Sequence, residues 1–414
     1  MINIKKPNKL NSFIFCIILT LFVISSNIAW INPDPRGAIK VLEFPFMWQY
    51  DVDAILELGT ATYFPDFYKD LSTRIDRPLY PFLSHIIGTL FFQINNFINI
   101  TNLSKVYFVA LAFILLKILI YSFGAICVNK ICDFLKFNLD IKKISLIIFF
   151  FNPFLIKGLT TFHTIELQLL NPVFAIYFFI IFIEKKINII LCGIFTGLLF
   201  LGKNNYAISV AIFLFMVFNK NYKDAVKYFF YVIAPTVFWF FYWKNFMNIN
   251  FSINDQYANY HWFDFSLYSV NNLLSYLIYI LIAFFKNYYL YFISLFMFFI
   301  FKKNKVYFEL DEKFIFIFLF VFSTSAQMLA SNKFQSIYMT SDIYWVYAIS
   351  FAWLIVNFIN YLFKINYSVL LLLSFLLLSK SILHLANFPL INPYNQNVLI
   401  DHKEFMIKAK KMGY

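Results

Sequence analysis

Two aspartates, Asp51 and Asp53, form the acid pair in this sequence that is best suited to proton-transfer chemistry. A carboxylate beside a membrane surface can act as a general base that takes the proton from an attacking hydroxyl group. The second carboxylate can orient the first, or the two can hold a divalent cation through oxygen ligands. Because positions i and i+2 diverge on a helix, the two side chains would share a face only in extended backbone. The pair therefore predicts a general base and leaves a metal site as an alternative.

All three arginines of the chain, Arg36, Arg74 and Arg77, lie near its beginning, whereas the lysines are spread along its whole length. Arginine differs from lysine in a planar fork that binds phosphate or carboxylate through two parallel hydrogen bonds. Arg77 stands directly before Pro78, and proline suits the first turn of a helix. Since the start of a helix favours an anion, we predict that Arg77, with Arg74 as a second candidate, binds phosphate. The alternative is a cationic anchor at a membrane interface.

Three further ionisable residues, His163, Glu166 and Lys203, stand at the ends of apolar runs. Charged groups at a membrane boundary are costly and usually functional. We therefore include these residues among the candidates for substrate or phosphate binding. The alternatives are a simple ion pair between Glu166 and Lys203 and an interfacial polar role for His163.

The elements that must position these residues are membrane helices. The 414-residue chain is 61% hydrophobic and only 13% charged, whereas soluble domains carry about 25% charged residues. Apolar runs recur along its whole length, with room for about 10 to 12 spans of roughly 20 residues each. We predict an all-α, polytopic transmembrane helical bundle that forms a single domain, 1–414.

The net charge of +13 comes from lysines whose positions also fit a membrane protein. The lysines cluster in short stretches between apolar runs, as the positive-inside rule predicts for cytoplasmic loops, so we expect no nucleic-acid partner. The four cysteines have no partner pair or histidine at metal-ligand spacing, which argues against a zinc site or a disulfide framework.

The lysine pattern predicts a topology with the N-terminus inside and a first span at 11–30. A first outer loop at 31–80 carries a short interfacial helix near 50–60, a second outer loop lies at 248–269, and a polar tail at 385–414 ends outside. One conflict arises where apolar runs at 81–98 and 106–128 precede a lysine-rich stretch at 129–143. Two crossings from an outer loop would return outside. Either 81–98 is a partial or surface element, or the lysine rule fails there.

Several motifs, taken in order, resemble those of the GT-C superfamily of multispanning glycosyltransferases. The similar segments are the acidic motif at Asp51 with Gly59 eight residues on, the Arg-Pro-Leu-Tyr-Pro run from Arg77, the segment from Thr160 to Glu166, and the glycine-bearing run that ends at Lys203. Ile55 departs from the family pattern, in which an aromatic residue is common at that place. The resemblance covers roughly residues 10–210, and the later half is similar only as a stack of spans.

This resemblance implies a fold and an activity. The chain would be GT-C-like, of the mannosyltransferase or aminoarabinose-transferase type, and would use a polyprenyl-phosphate sugar donor drawn from membrane lipid. It would act as an inverting enzyme in the inner membrane, with its site facing the periplasm. Asp51 would be the base, assisted by Asp53, while Arg77, Arg74 and Lys203 would stabilise the phosphate leaving group. No definite cofactor is predicted, and Mg²⁺ or Mn²⁺ at Asp51 and Asp53 is an open alternative.

Two other classes are consistent with the sequence. A transporter or lipid-glycan flippase would place charges near the middle of the bilayer, often in paired halves, and no internal repeat is evident. An O-antigen-type polymerase or ligase shares the lipid-linked donor but relies on a large late outer loop, whereas the longest outer loop predicted here is the first.

Overall fold

A computed structural model describes residues 9–26, 39–40, 49–50, 52–66, 77–99, 103–134, 139–150, 164, 167–202 and 207–247. This part of the chain is almost entirely helical. In chain order its helices are α1 (Lys9–Ser26), α2 (Val52–Thr62), α3 (Leu79–Ile98), α4 (Lys105–Phe134), α5 (Leu139–Phe150), α6 (Leu167–Ile183), α7 (Ile189–Phe200), α8 (Ala207–Phe218) and α9 (Tyr222–Phe246). The all-α prediction is confirmed for these residues.

Helices α4 and α9 are long and apolar enough to cross a membrane. At 1.5 Å per residue, the 30 residues of α4 exceed the roughly 30 Å of a bilayer's hydrocarbon core. Three further apolar helices are shorter: 170–183, 189–200 and 208–218. The predicted second outer loop, the later spans and the polar tail lie outside the described residues.

The first predicted outer loop contains a short helix, as expected. Helix α2 begins and ends two residues later than the predicted range of 50–60. Ahead of it, β1 (Ile39–Lys40) and β2 (Gln49–Tyr50) form a short antiparallel pair in which Ile39 lies opposite Tyr50. The all-α prediction did not include this pair. Its second strand ends one residue before Asp51.

The buried core of the helical bundle lies among α4 to α9, and its packing relies on glycines. A Cβ atom on Gly197 of α7 would lie 2.3 Å from the carbonyl oxygen of Val232 in α9. A Cβ on Gly88 of α3 would lie 2.5 Å from the Cα of Val109 in α4. Only glycine permits backbones to approach this closely, as in membrane helix pairs with small residues at the interface.

Ion pairs gather several lysines at one end of the bundle, which we call the lysine end. Lys130 near the end of α4 and Lys186 in the α6–α7 turn both pair with Glu184, and Lys142 of α5 pairs with Asp133 of α4. Hydrogen bonds from Lys130 and Lys186 hold the pKa of the exposed Glu184 carboxyl below its usual value. These contacts bring the lysines of the 129–143 stretch and the 184–186 turn to the same end of the bundle.

The stretch 129–143 differs from its prediction as a polar loop. Helix α4 continues to Phe134 and α5 begins at Leu139, so both helices extend into the stretch. The reason is that lysines suit the ends of membrane helices, where their long side chains reach the interface. Composition therefore placed the end of α4 too early and the start of α5 too late.

The packing of α3 on α4 bears on the predicted topology. Tyr80 contacts Phe113, Gly88 approaches Val109, and Phe92 contacts Phe108. The two helices are therefore antiparallel, and these contacts involve only the first third of α4. This arrangement favours α3 as a partial element beside α4, which was one of the two alternatives.

Candidate functional site

The start of α3 is joined to the end of α7. The backbone N–H of Leu79 donates a 3.0 Å hydrogen bond to the carbonyl oxygen of Leu201. Helix starts have N–H groups without partners inside the helix, and this contact satisfies one of them. Arg77 stands two residues before Leu79, and Lys203 stands two residues after Leu201. The backbone therefore brings the flanks of two predicted phosphate-binding residues together.

A second contact joins α2 to the segment before α6. The hydroxyl of Thr164 donates a 2.9 Å hydrogen bond to Oε1 of Glu57. Both residues are buried, with 2% and 4% of their surface exposed. Hydrogen bonds to a buried carboxyl group are among the stronger ones in proteins. Asp53 lies one helical turn before Glu57, so the contact links the predicted acidic motif to the segment that contains His163 and Glu166.

These two contacts belong to one region, which we call the junction and define by Glu57, Thr164, Leu79 and Leu201. The backbone N–H of Leu167 donates to the carbonyl oxygen of Thr164 at 3.2 Å. A Cβ on Gly202 would lie 3.3 Å from the side chain of Leu167. The segment around Thr164 and the end of α7 are therefore in contact.

The C-terminal end of α2 packs against α3, and the residues just after it reach α9. Residues from Glu57 to Thr62 are all buried, and the ring Nδ1 of His85 in α3 hydrogen-bonds with the carbonyl oxygen of Ala61 at 2.8 Å. Phe64, just after α2, packs against Phe82, His85 and Trp239. The predicted interfacial helix is thus a packed part of the bundle.

Arg77 is the one predicted site residue whose side chain the structure describes. It is half-buried, its Nε atom is buried, and the residue after it, Pro78, is the N-cap of α3. The prediction that the Arg-Pro-Leu-Tyr-Pro run opens a helix is confirmed. The phosphate-binding role of Arg77 stays a prediction.

The other predicted site residues lie outside the description of side chains. Asp51, Arg74, His163, Glu166 and Lys203 fall outside the described residues, and only the backbone of Asp53 is described, within α2. Their immediate neighbours in the chain are described for four of them: Tyr50 and Val52 flank Asp51, Thr164 follows His163, Leu167 follows Glu166, and Gly202 precedes Lys203.

A buried lysine lies near the first turn of α3. Lys117 of α4 is 1% exposed, and its Nζ lies 5.8 Å from the ring centroid of Phe113. Tyr80 packs edge-on against the same ring at 4.5 Å and donates a 3.1 Å hydrogen bond to the carbonyl oxygen of Phe113. The first turn of α3 and Lys117 therefore share Phe113 as a neighbour.

Sequence reasoning missed Glu57, Thr164 and Lys117. Glu57 stands four residues after Asp53 in a predicted helix, a spacing that brings two residues to one helix face. Lys117 is the one charged residue inside the apolar run 106–128, and an ionisable group within such a run is a candidate functional residue by default. Thr164 stood inside the segment from Thr160 to Glu166, but nothing in the sequence distinguished it from Thr160 and Thr161.

No group of three or more histidine, cysteine or acidic residues that could hold a metal ion occurs in the described residues. Because Asp51 lies outside them, the alternative of a divalent cation at Asp51 and Asp53 stays a prediction.

Comparison of the chain with protein-family models, with curated proteins and with solved structures found no match.

Proposed function

We propose that this protein is a multi-pass membrane glycosyltransferase of GT-C type. It transfers a sugar from a polyprenyl-phosphate donor to a hydroxyl acceptor on a lipid, glycan or protein. The site lies at the junction and faces the periplasmic side of the inner membrane. Two helices with the length and composition of membrane spans support the membrane setting.

The observation that carries the proposal is the meeting of separate motif-bearing segments at the junction. The hydrogen bond from Thr164 to Glu57 joins the first-loop helix to the segment around His163 and Glu166. The hydrogen bond from Leu79 to Leu201 joins the helix start after Arg77 to the helix end before Lys203. The order of these motifs along the chain is what resembles the GT-C pattern, and unrelated motifs would have no reason to converge.

The chemistry follows from the residue types. Asp51 takes the proton of the acceptor hydroxyl as its oxygen attacks the anomeric carbon, and the carbon–oxygen bond to the lipid phosphate breaks with inversion. The leaving phosphate gains negative charge in this step. Arg77, with Arg74 and Lys203, stabilises that charge electrostatically, an effect that is strong where water is excluded.

The position of the charges also bears on the transporter alternative. The motif-bearing segments gather at the junction, at one end of α7, whereas the ion pairs of Lys130 and Lys186 mark the other end. Transporters place their charged groups near the middle of the bilayer at broken helices. The meeting of these segments at one end of α7 supports an enzyme site at one face, whereas the buried charge of Lys117 inside α4 is also compatible with a transporter.

The decisive experiment is the Asp51→Asn variant. Asparagine has nearly the same shape but cannot accept the proton, so we expect transfer to fall by at least ~100-fold while the protein stays folded. Transfer would be measured with purified protein, a panel of polyprenyl-phosphate sugars and membrane lipid extract as acceptor. Asp224→Asn at the lysine end is the matched control and should leave transfer unchanged. Activity of Asp51→Asn within a few-fold of wild type would move the role to Asp53 or reject the proposed enzyme.

A further inference from the structure

The start of α9 lies at the lysine end of the bundle. A Cβ on Gly193 of α7 would lie 3.1 Å from the carbonyl oxygen of Tyr228, and one on Gly197 would lie 2.3 Å from that of Val232. Helices α7 and α9 therefore run in the same direction, and both begin at the same end of the bundle. The turn before α7 contains Lys186, which belongs to the lysine end. The first turns of α9 therefore lie there as well.

Three lysines at the start of α9 pair with no acidic side chain among the described residues. Lys220 precedes the helix, and Lys223 and Lys227 lie in its first two turns, where all three are exposed. Asp224 is the one acidic residue between positions 219 and 230, and its carboxylate accepts a 2.9 Å hydrogen bond from the side-chain amide of Asn221. The start of α9 therefore carries positive charge that the described part of the protein leaves available.

Lys223 and Lys227 begin an exposed stripe along α9. Residues at helical spacings of three, four and seven share one face, and this face continues through Phe230, Val237 and Phe241, which are all exposed. The residues of α9 that are buried in the bundle, Ala225, Tyr228, Val232 and Trp243, lie on the opposite face. A pair of cations therefore stands at one end of an apolar stripe that the bundle does not cover.

The length of the stripe matches one leaflet of a membrane. Ten residues separate Lys227 from Val237, which corresponds to about 15 Å along the helix. This distance is half of the roughly 30 Å hydrocarbon core. Lysine side chains keep their charged ends at the interface while their stems lie on apolar surface. A phosphate group at Lys223 and Lys227 would therefore leave an acyl chain room to extend along Phe230 toward Val237.

We propose that this face of α9 binds an anionic phospholipid, whose phosphate contacts Lys223 and Lys227 and whose acyl chain lies on the apolar stripe. Lys220 adds to the attraction. The proposal rests on the membrane setting and not on glycosyl transfer. Charge complementarity selects the ligand, because a zwitterionic lipid brings a cation of its own to the lysines. Each lysine near an anionic membrane surface strengthens binding by roughly fivefold.

The test is native mass spectrometry of the full chain in detergent, titrated with phosphatidylglycerol or with phosphatidylcholine of the same acyl chains. Wild type should bind phosphatidylglycerol more tightly. The double variant Lys223→Gln, Lys227→Gln should bind phosphatidylglycerol roughly ten- to 30-fold more weakly and phosphatidylcholine as before. Both lysines are exposed, so the variant should fold.

The matched control is the double variant Lys142→Gln, Lys186→Gln. It removes the same charge from the same end of the bundle, at lysines that already pair with Asp133 and Glu184. It should bind phosphatidylglycerol like wild type. Equal losses in the two double variants would reduce the effect to a diffuse attraction and overturn a site on α9.

Two other outcomes would also overturn the proposal. Competition by soluble glycerol phosphate would assign the lysines to a free phosphate compound. Equal binding of the two lipids by wild type, or no binding, would overturn the lipid site, and a dimer mass in that sample would identify a second copy of the chain on this face. Sugar transfer is not measured, so a failure here leaves the proposed enzyme unaffected, and an active Asp51→Asn variant leaves the lipid site unaffected.

Discussion

Arg77 and Lys203 carry the same charge, but substitutions that conserve this charge should change turnover at Arg77 and not at Lys203. Arg77→Lys should lower turnover by roughly five- to 150-fold, since a compact ammonium loses the paired geometry of the arginine fork, worth ~1–3 kcal/mol. Lys203→Arg keeps the charge and adds a fork, so turnover should change little. Both variants would be assayed with purified protein at matched amounts and a lipid-linked donor. Wild-type turnover by Arg77→Lys would leave Arg77 as an interfacial anchor.

The hydroxyl of Thr164 should be needed for the stability of the junction. Thr164→Val keeps the shape of the side chain but removes the donor to the buried Glu57 carboxyl, which should lower the free energy of unfolding by about 1–3 kcal/mol. Thr164→Ser keeps the hydroxyl and should melt close to wild type. Thermal unfolding of detergent-purified protein compares the three. If the valine and serine variants melt at the same temperature, the hydrogen bond contributes nothing to stability.

Among single residues, the sequence predicted those that stand out by chemical type and missed those whose role depends on a contact in the folded structure. Arg77 stood out because arginine is rare in this chain and precedes a proline. Glu57 did not, because a single carboxylate in a loop with eight acidic residues has no distinguishing spacing until its partner is known. That partner, Thr164, is 107 positions away, and no local pattern links residues so far apart.

The close contact between α7 and α9 should not tolerate a side chain at Gly197. The added methyl group of Gly197→Ala would lie 2.3 Å from the Val232 carbonyl oxygen and 2.9 Å from the ring of Pro235, so the helices must separate. Overpacking of this kind costs about 1–3 kcal/mol. Gly202→Ala is the graded control, because its nearest atoms would be at 3.2 and 3.3 Å. A drop in melting temperature for Gly197→Ala no larger than that for Gly202→Ala would contradict the close packing.

Helix types were predicted well from hydropathy, and helix ends were not. The start of α3 followed from the prolines of the Arg-Pro-Leu-Tyr-Pro run, whereas α2 was expected two residues too early. The end of α4 did not, because Lys130 and Asp133 extend the helix while they pair with Glu184 and Lys142. A charged residue at the end of an apolar run indicates an interface equally well whether the helix stops or continues.

For the molecule as a whole, the lysine end and the junction should face opposite sides of the membrane. In a background without the native cysteines, Tyr63→Cys should react with a membrane-impermeant maleimide on intact cells. Lys186→Cys should react only after permeabilisation. Both positions are exposed, whereas the neighbouring Thr62 is buried and unsuitable. Ser252→Cys, in the predicted second outer loop, should label from the same side as Tyr63→Cys. Labelling of Tyr63→Cys and Lys186→Cys from one side would reject the topology.

The residues that meet at the junction are far apart along the chain. This spacing determines when their contacts can form during synthesis. Leu79 cannot reach its acceptor until Leu201 has been synthesised, and α2 cannot reach Thr164 until α3, α4 and α5 have been synthesised. Contacts between distant parts of a chain form late, because closing a long loop costs entropy before any contact repays it. The first two hundred residues must therefore be synthesised before these contacts can form.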